Sequence, residues 1–322
     1  MRKLAVGLVV VVLVAAATAV SAGGAAGDAS SARKSKPLTV ATINVLHGLF
    51  CPQETDFCNA PDRAESLAHG LEDAGCPQFV GMQEIGPRQG DLVPAAMEQV
   101  CGGRYKLAWE AVEGSPDREM VFTTFPIREQ GFLDIANFPW EAYWVRVKTP
   151  LGPVEFLTSH FASSSNNPPC TADNCPPVCP AGIETNECHA LEVTDFYDGR
   201  PTATLQIASG DFNAQPGDPT IATMTDAGFV DAWLAAGQPE CDPATGQGCT
   251  GGRERPENDL DGLDVPEGRY SGRIDFVLVR PASGCKLRAK AEPLFAEPFE
   301  EPFRGLYWTS DHAGLLTDLR CR

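Results

Sequence analysis

Three observations predict an α/β fold. Short apolar runs of strand character recur along the chain, amphipathic helical stretches lie between several of them, and most of the strands end in a polar residue. The 322 residues suffice for one large domain or two small ones, and a hydrophobic fraction of 43% supports a core.

Residues 1–22 read as a signal peptide. Arg2 and Lys3 supply the charge, residues 4–20 the apolar stretch, and Val20-Ser-Ala22 a cleavage site near Ala22. The rival is a membrane anchor; the Ala-rich end and the Gly/Ala/Ser/Lys stretch to Lys36 favour cleavage. Residues 23–36 are expected to be a disordered lead-in, and residues 37–322 the folded domain.

Residues 38–44 form the first strand, apolar on both faces and ending in Asn44. Residues 61–74 fit a helix with Ala64, Leu67, Ala68 and Leu71 inward and His69 on the polar side. Residues 78–84 form the second strand, which ends in Gln83-Glu84, and a helix follows over about 91–100. Residues 104–109 and 118–125 read as a strand pair. Residues 143–148 and 154–159 form a hairpin whose second arm ends at His160. Residues 163–190 are a polar, Cys-rich insertion expected to act as a lid or rim.

Residues 205–209 lead into Gly210-Asp-Phe-Asn213. Asp211 and Asn213 are two apart and can face one point while Phe212 anchors the turn behind them. The same pair can equally cap its own backbone. Asp218 starts a helix at Pro219 that stops at Gly228. Residues 238–268 form a second polar, cysteine-containing insertion with Glu257, Asp259, Asp261, Asp264 and Glu267. A solvated loop is preferred there, since the order of acids departs from the helix-loop-helix calcium pattern. Residues 273–279 are a strand with Asp275 inside it, an acid that needs a partner if buried. Ser310-Asp-His312 precedes a terminal strand.

The twelve cysteines fall in even groups: Cys51 and Cys58; Cys76 and Cys101; Cys170, Cys175, Cys179 and Cys188; Cys241 and Cys249; Cys285 and Cys321. Six local disulfides are the simplest account, and they suit an exported protein. A zinc site from the third group with His189 is the rival, but its spacing matches no usual zinc pattern. The formal charge of −18 argues against a dedicated polyanion binder, though not against an enzyme that recruits divalent cations.

The strand-end pieces Thr42-Ile-Asn44, Gln83-Glu84, Ser159-His160, Gly210-Asp-Phe-Asn213, Arg273-Ile-Asp-Phe276 and Ser310-Asp-His312 occur in this order. Together they resemble the endonuclease/exonuclease/phosphatase superfamily, which includes deoxyribonuclease I, abasic-site endonucleases, neutral sphingomyelinases and inositol-polyphosphate phosphatases. The resemblance implies a four-layer α/β sandwich, two packed mixed β-sheets flanked by helices. It also implies phosphoester hydrolysis with Mg²⁺, or Ca²⁺ or Mn²⁺, as cofactor. Glu84, with Asn44 and Asp311, matches the metal ligands. Asp211 and Asn213 match the pair that positions the attacking water and the scissile phosphate. Asp275 matches the carboxylate that orients His312, the general base, and His160 the histidine that meets the phosphate or the leaving oxygen.

One departure stands out. Deoxyribonuclease-like members carry an arginine before the His160 motif; residues 137–144 place aromatics there, with Arg146 further on. That counts against DNA. His47 is a candidate for the cleft wall outside the core pattern. The expected function is a secreted phosphodiesterase acting on nucleic acid or a phospholipid headgroup. The alternative is a non-catalytic secreted binding module on the same scaffold. For the lipid branch, Phe138, Trp140, Tyr143 and Trp144 are either an exposed hairpin or, as preferred, core. No association signal is visible, so no stable protein partner and a monomer are expected.

Overall fold

A computed structural model describes residues 36–109, 118–137, 140–253, 263–264, 268–298 and 308–322. The expected signal peptide, nearly all of the lead-in, Phe138, and the acids Glu257, Asp259, Asp261 and Glu267 lie outside the described residues. In chain order the elements are β1 (Leu38–Asn44), α1 (Asp56–Asp73), β2 (Phe79–Gln83), α2 (Gln89–Gln99), β3 (Lys106–Ala108), β4 (Met120–Thr123), β5 (Ile127–Asp134), β6 (Glu141–Thr149), β7 (Gly152–His160), α3 (Thr185–Asp198), β8 (Leu205–Asp211), α4 (Pro219–Asp226), β9 (Val230–Asp231), α5 (Ala232–Ala235), β10 (Asp275–Pro281), β11 (Leu287–Leu294) and β12 (Gly314–Cys321).

The strands form two six-stranded sheets, ordered β11-β12-β1-β2-β4-β3 and β5-β6-β7-β8-β10-β9. Both are mixed: β1 and β2 run parallel, as do β7 and β8, and the other pairs are antiparallel. The central strands are apolar on both faces because each sheet is covered twice. Between the sheets, Val40, Phe79, Tyr143, Phe156, Ile207 and Val277 share one core, and the Phe79 and Phe156 rings stack at 5.1 Å across it. Outside the first sheet, Leu67 and Leu71 of α1 and Val93 and Met97 of α2 pack on Ile43 and Met82. Outside the second, Val193 and Tyr197 of α3 and Ile221 and Met224 of α4 pack on Leu157, Ala208 and Phe276. The layers are helix, sheet, sheet, helix, the expected sandwich.

All twelve cysteines pair with their next neighbour in sequence: Cys51–Cys58, Cys76–Cys101, Cys170–Cys175, Cys179–Cys188, Cys241–Cys249 and Cys285–Cys321. No helix among the described residues is long and apolar enough to cross a membrane.

Three features depart from the sequence reading. Helix α3 starts inside the stretch taken as a loop insertion, because its buried face includes Thr185, Asn186, His189 and Thr194, which erase the apolar stripe. The edge strands β5 and β11 were not recognised; each is largely exposed and polar, as edges are. Asp275 opens β10 rather than lying within it. Beyond it half a ladder pair persists: the Ile274 carbonyl still accepts the Phe212 N–H, while the Ile274 N–H turns away to Thr250 Oγ1.

Candidate active site

One edge of the sandwich collects the polar strand ends. Parallel strands deliver their C-terminal residues to the same side, so β1 and β2 bring Asn44 and Gln83 level, and Glu84 follows at once. In the second sheet His160 pairs in register with Asp211, and Asp211 with Asp275, across β7, β8 and β10. Antiparallel β10 contributes its first residue where its neighbours contribute their last. The chain entering β12 adds Ser310, Asp311 and His312, and Ser310 Oγ donates to the Asn44 carbonyl at 2.6 Å.

Asp211 is the centre of the cluster. Its Oδ2 lies 3.2 Å from Asn44 Nδ2, 3.5 Å from His160 Nε2 and 3.6 Å from His312 Nε2. Its Oδ1 accepts the Asn213 N–H at 2.9 Å. Asp211 therefore both caps its turn and faces the site, each with one oxygen. Asn213, held at φ 45°, turns its amide to the Phe161 carbonyl and to His160 Nε2, both at 2.9 Å. Phe212 fixes the turn from behind, stacked on Phe161 at 4.4 Å and on Phe276 at 5.9 Å. Gly210 cannot be replaced lightly: at φ 140°, an added Cβ would lie 1.9 Å from the Ser159 carbonyl oxygen of β7.

Glu84 faces Asp211 from the first sheet. Its Oε1 accepts Asn44 Nδ2 at 2.8 Å and its Oε2 accepts the His47 N–H at 3.1 Å. His160 Nε2 lies 3.9 Å from Glu84 Oε1, so the ring spans both carboxylates. Trp140 stands edge-on to His160 at 5.0 Å. On the far side, His312 Nδ1 lies 3.0 Å from Asp275 Oδ2, and the Asp275 N–H donates to Thr250 Oγ1 at 3.1 Å.

Burial lifts the Asp211 carboxyl to about 6, with Asp275 adding to it and the His312 and His160 rings opposing. Burial works against a charged His312, but Asp275 and Asp211 outweigh it, and the ring holds its proton well above the ordinary histidine range. The two groups face one another at 3.6 Å.

All eight expected site residues reach this edge. Asn44, Glu84, His160, Asp211 and Asn213 form one bonded group, Asp275 and His312 join it through Asp211, and Asp311 joins through Ser310, whose Oγ lies 3.4 Å from Asp311 Oδ1. His47 does line the cleft, its Nε2 3.6 Å from Glu84 Oε2. The sequence reading missed Thr250, the buried Glu119 whose Oε1 accepts the His160 N–H at 3.2 Å, and Trp140 as the partner of His160. They lie in loops or beside them, where no periodicity marks them.

The donor chemistry suits a hard divalent cation: the carboxylates of Glu84 and Asp211 both accept from Asn44 Nδ2, at 2.8 and 3.2 Å, and no thiol is present among the expected ligands. Ligand atoms of Asp211, Asp275 and His312 also lie within 4.8 Å of one another. In both sets ligand residues already bond one another, Glu84 with Asn44 and Asp275 with His312.

Arg146 settles the fate of the arginine noted in the sequence. It pairs with Glu155 four positions down β6 and β7 from Ala142, which faces Ser159 at the site end. At about 3.4 Å per residue it is far from His160. Trp140 and Tyr143 are buried, and Trp144 is half-buried, packed on the core outside the second sheet with the Arg200 guanidinium 4.1 Å over its ring.

A profile of the endonuclease/exonuclease/phosphatase family matches residues 41–312. No curated protein matches the chain in sequence. Among solved structures, a truncated Caenorhabditis elegans TDP2 is 17% identical with a TM-score of 0.61, covering 88% of this chain and 97% of that one. D. rerio TDP2 complexed with single-strand DNA product is 18% identical with a TM-score of 0.61, covering 88% and 98%. The mannosyl-6-phosphatase of Bacteroides thetaiotaomicron is 17% identical with a TM-score of 0.60, covering 88% and 99%. With six motifs in order on one edge, this fold, and a profile match across most of its length, the chain belongs to the endonuclease/exonuclease/phosphatase family.

Proposed function

We propose that the protein is a secreted, divalent-metal-dependent phosphodiesterase that works by activated-water attack. The observation that carries the reading is the line Asp275–His312–Asp211, with contacts of 3.0 and 3.6 Å. A buried carboxylate holds the ring by Nδ1 and aims Nε2 at a second carboxylate. Asp211, its carboxyl lifted by burial, takes the proton from the water, the charged His312 ring holds that carboxylate from Nε2, and Asn213 with Asp211 fixes the water's position. His160, reaching both Glu84 and Asp211, meets the phosphate or the leaving oxygen. Glu84, Asn44 and Asp311 would hold Mg²⁺, Ca²⁺ or Mn²⁺. Bound there, such a cation supplies charge neutralisation for an anion that otherwise repels its attacker.

Two neighbours of the same fold bear titles that point to different phosphoesters, single-strand DNA and a mannosyl 6-phosphate, so fold alone does not choose the substrate. The buried aromatics weaken the lipid branch, and the acidic chain weakens long duplexes. Short or single-stranded nucleotidyl diesters suit the site best. The six bridges and the apolar N-terminal stretch support secretion.

The test is a panel of plasmid DNA, RNA, dinucleotides, sphingomyelin and inositol phosphates, each with Mg²⁺, Ca²⁺ or chelator. Cleavage that stops with chelator and falls at least about a hundredfold in His312→Ala is expected. Cleavage indifferent to either change would sink the mechanism. Edman sequencing of the exported protein checks for a start just after Ala22.

A further inference from the structure

Phe50 is 85% exposed, while the next most exposed large apolar residue among those described, Leu234, is at 46%. Single exposed apolar residues are ordinary, but the surroundings of this one are not. Its ring stands 5.5 Å from the His47 ring at 65°. His47 in turn touches Glu84 twice, through its N–H and through Nε2. Phe50 therefore rises at the rim of the phosphate-cleaving site, one ring away from the carboxylate assigned to the metal.

The loop that carries it is fixed in place. The buried Arg63 guanidinium donates to the carbonyls of Val45, Leu46, Phe57 and Cys58. Gln89 Nε2 donates to the Leu46 carbonyl at 2.6 Å. The Leu49 N–H bonds His47 Nδ1 at 3.0 Å, and Cys51 is tied to Cys58. Gly86 closes the back of His47, where an added Cβ would lie 2.9 Å from His47 Cβ. Phe50 thus rises from a backbone fixed around it, so binding has mainly the ring's own side-chain torsions to order, which suits a recognition surface.

We propose that Phe50, seated against His47, is a stacking subsite for a nucleobase carried by the phosphoester substrate. The proposal rests on the phosphoesterase reading and names its substrate class. Stacking is uncharged, so it recognises a nucleotide without the basic track that a chain of net charge −18 is poorly placed to offer.

The test is equilibrium binding of adenosine 5′-monophosphate and of ribose 5-phosphate, with Ca²⁺ present, to the native protein, Phe50→Ala and Phe50→Trp. The native protein should bind the nucleotide roughly 5- to 150-fold more tightly than the sugar phosphate, as one stacked base allows. Phe50→Ala should erase that preference and Phe50→Trp should keep it. At 85% exposure, neither change threatens the fold. Equal affinities in the native protein, or a preference that survives in Phe50→Ala, overturns the proposal. So does a loss confined to binding of phosphatidylcholine vesicles, which would make Phe50 a membrane contact. Because the readout is binding, base preference without hydrolysis of any substrate removes the phosphoesterase reading and leaves the subsite standing. Hydrolysis without base preference removes only the subsite.

Discussion

His189 ties the stability of the site region to pH. The ring is fully buried on α3, against Phe161 at 5.3 Å, and both nitrogens are used. Nε2 donates to the Ala136 carbonyl at 2.7 Å, and Nδ1 accepts the Ala162 N–H at 3.3 Å. Only the neutral ring can do both. Burial lowers its pKa from 6.5 to about 3, with His160 adding to the effect. The unfolded chain takes up the proton below 6.5 and the folded protein refuses it until about 3, so stability is lost as pH falls through this window. At about 1.4 kcal/mol per unit, the loss from this one group is roughly 2.7 kcal/mol at pH ~4.5. The assay is urea unfolding of the native protein and His189→Gln at pH ~7.5 and ~4.5. The variant keeps a donor and an acceptor but does not titrate. Its stability should fall by roughly 2.7 kcal/mol less than that of the native protein between the two pH values. An equal fall in both proteins would refute the argument, whatever the variant's absolute stability.

Glu192, on the same helix, works in the opposite sense. Burial raises its carboxyl from 4.5 to about 7 while its Oε2 accepts the Ala136 N–H, so its contribution is whole below 4.5 and lost as pH rises through 7. Glu192→Gln should flatten the decline in melting temperature across that range. Asp275→Asn should leave the fold intact and lower kcat by roughly 10² to 10⁴, read by steady-state kinetics on whichever diester is cleaved. Thr250→Val strips the acceptor from two N–H groups, those of Ile274 and Asp275, and should cost about 1–3 kcal/mol per buried donor in denaturant unfolding. Gly210→Ala drives a methyl into the Ser159 carbonyl, so it should destabilise by about 2 kcal/mol or more and abolish turnover together.

The part of the site legible in the sequence is the part built on strands. Asn44, Glu84, His160 and Asp211 each follow an apolar run, so a polar residue there contrasts with its surroundings. Asp275 is visible for the same reason, although its strand starts at it and not before it. The double role of Asp211, cap and site residue at once, is invisible in the sequence, because one carboxylate oxygen does each task. Thr250 is silent in sequence: it is one threonine in a polar insertion, and its value lies in what the chain folds back against. Helix α3 was hidden because polar residues on a buried face remove the contrast that amphipathic reading depends on. The edge strands β5 and β11 were hidden because they have little buried face to contrast.

Each cysteine is joined to the next one along the chain, with separations of 5 to 36 residues. Such a pattern can be written in the order of synthesis. If every thiol is oxidised with the nearest earlier unpaired one as it emerges, the native set results with no later exchange. No bridge waits for the second sheet to meet the first, so an oxidant without an isomerase is enough to make the mature molecule. The four shortest bridges span 5 to 9 residues, whereas Cys76–Cys101 and Cys285–Cys321 span 25 and 36 and pack against the cores, so cutting these two should cost the sandwich itself about 3–4 kcal/mol each.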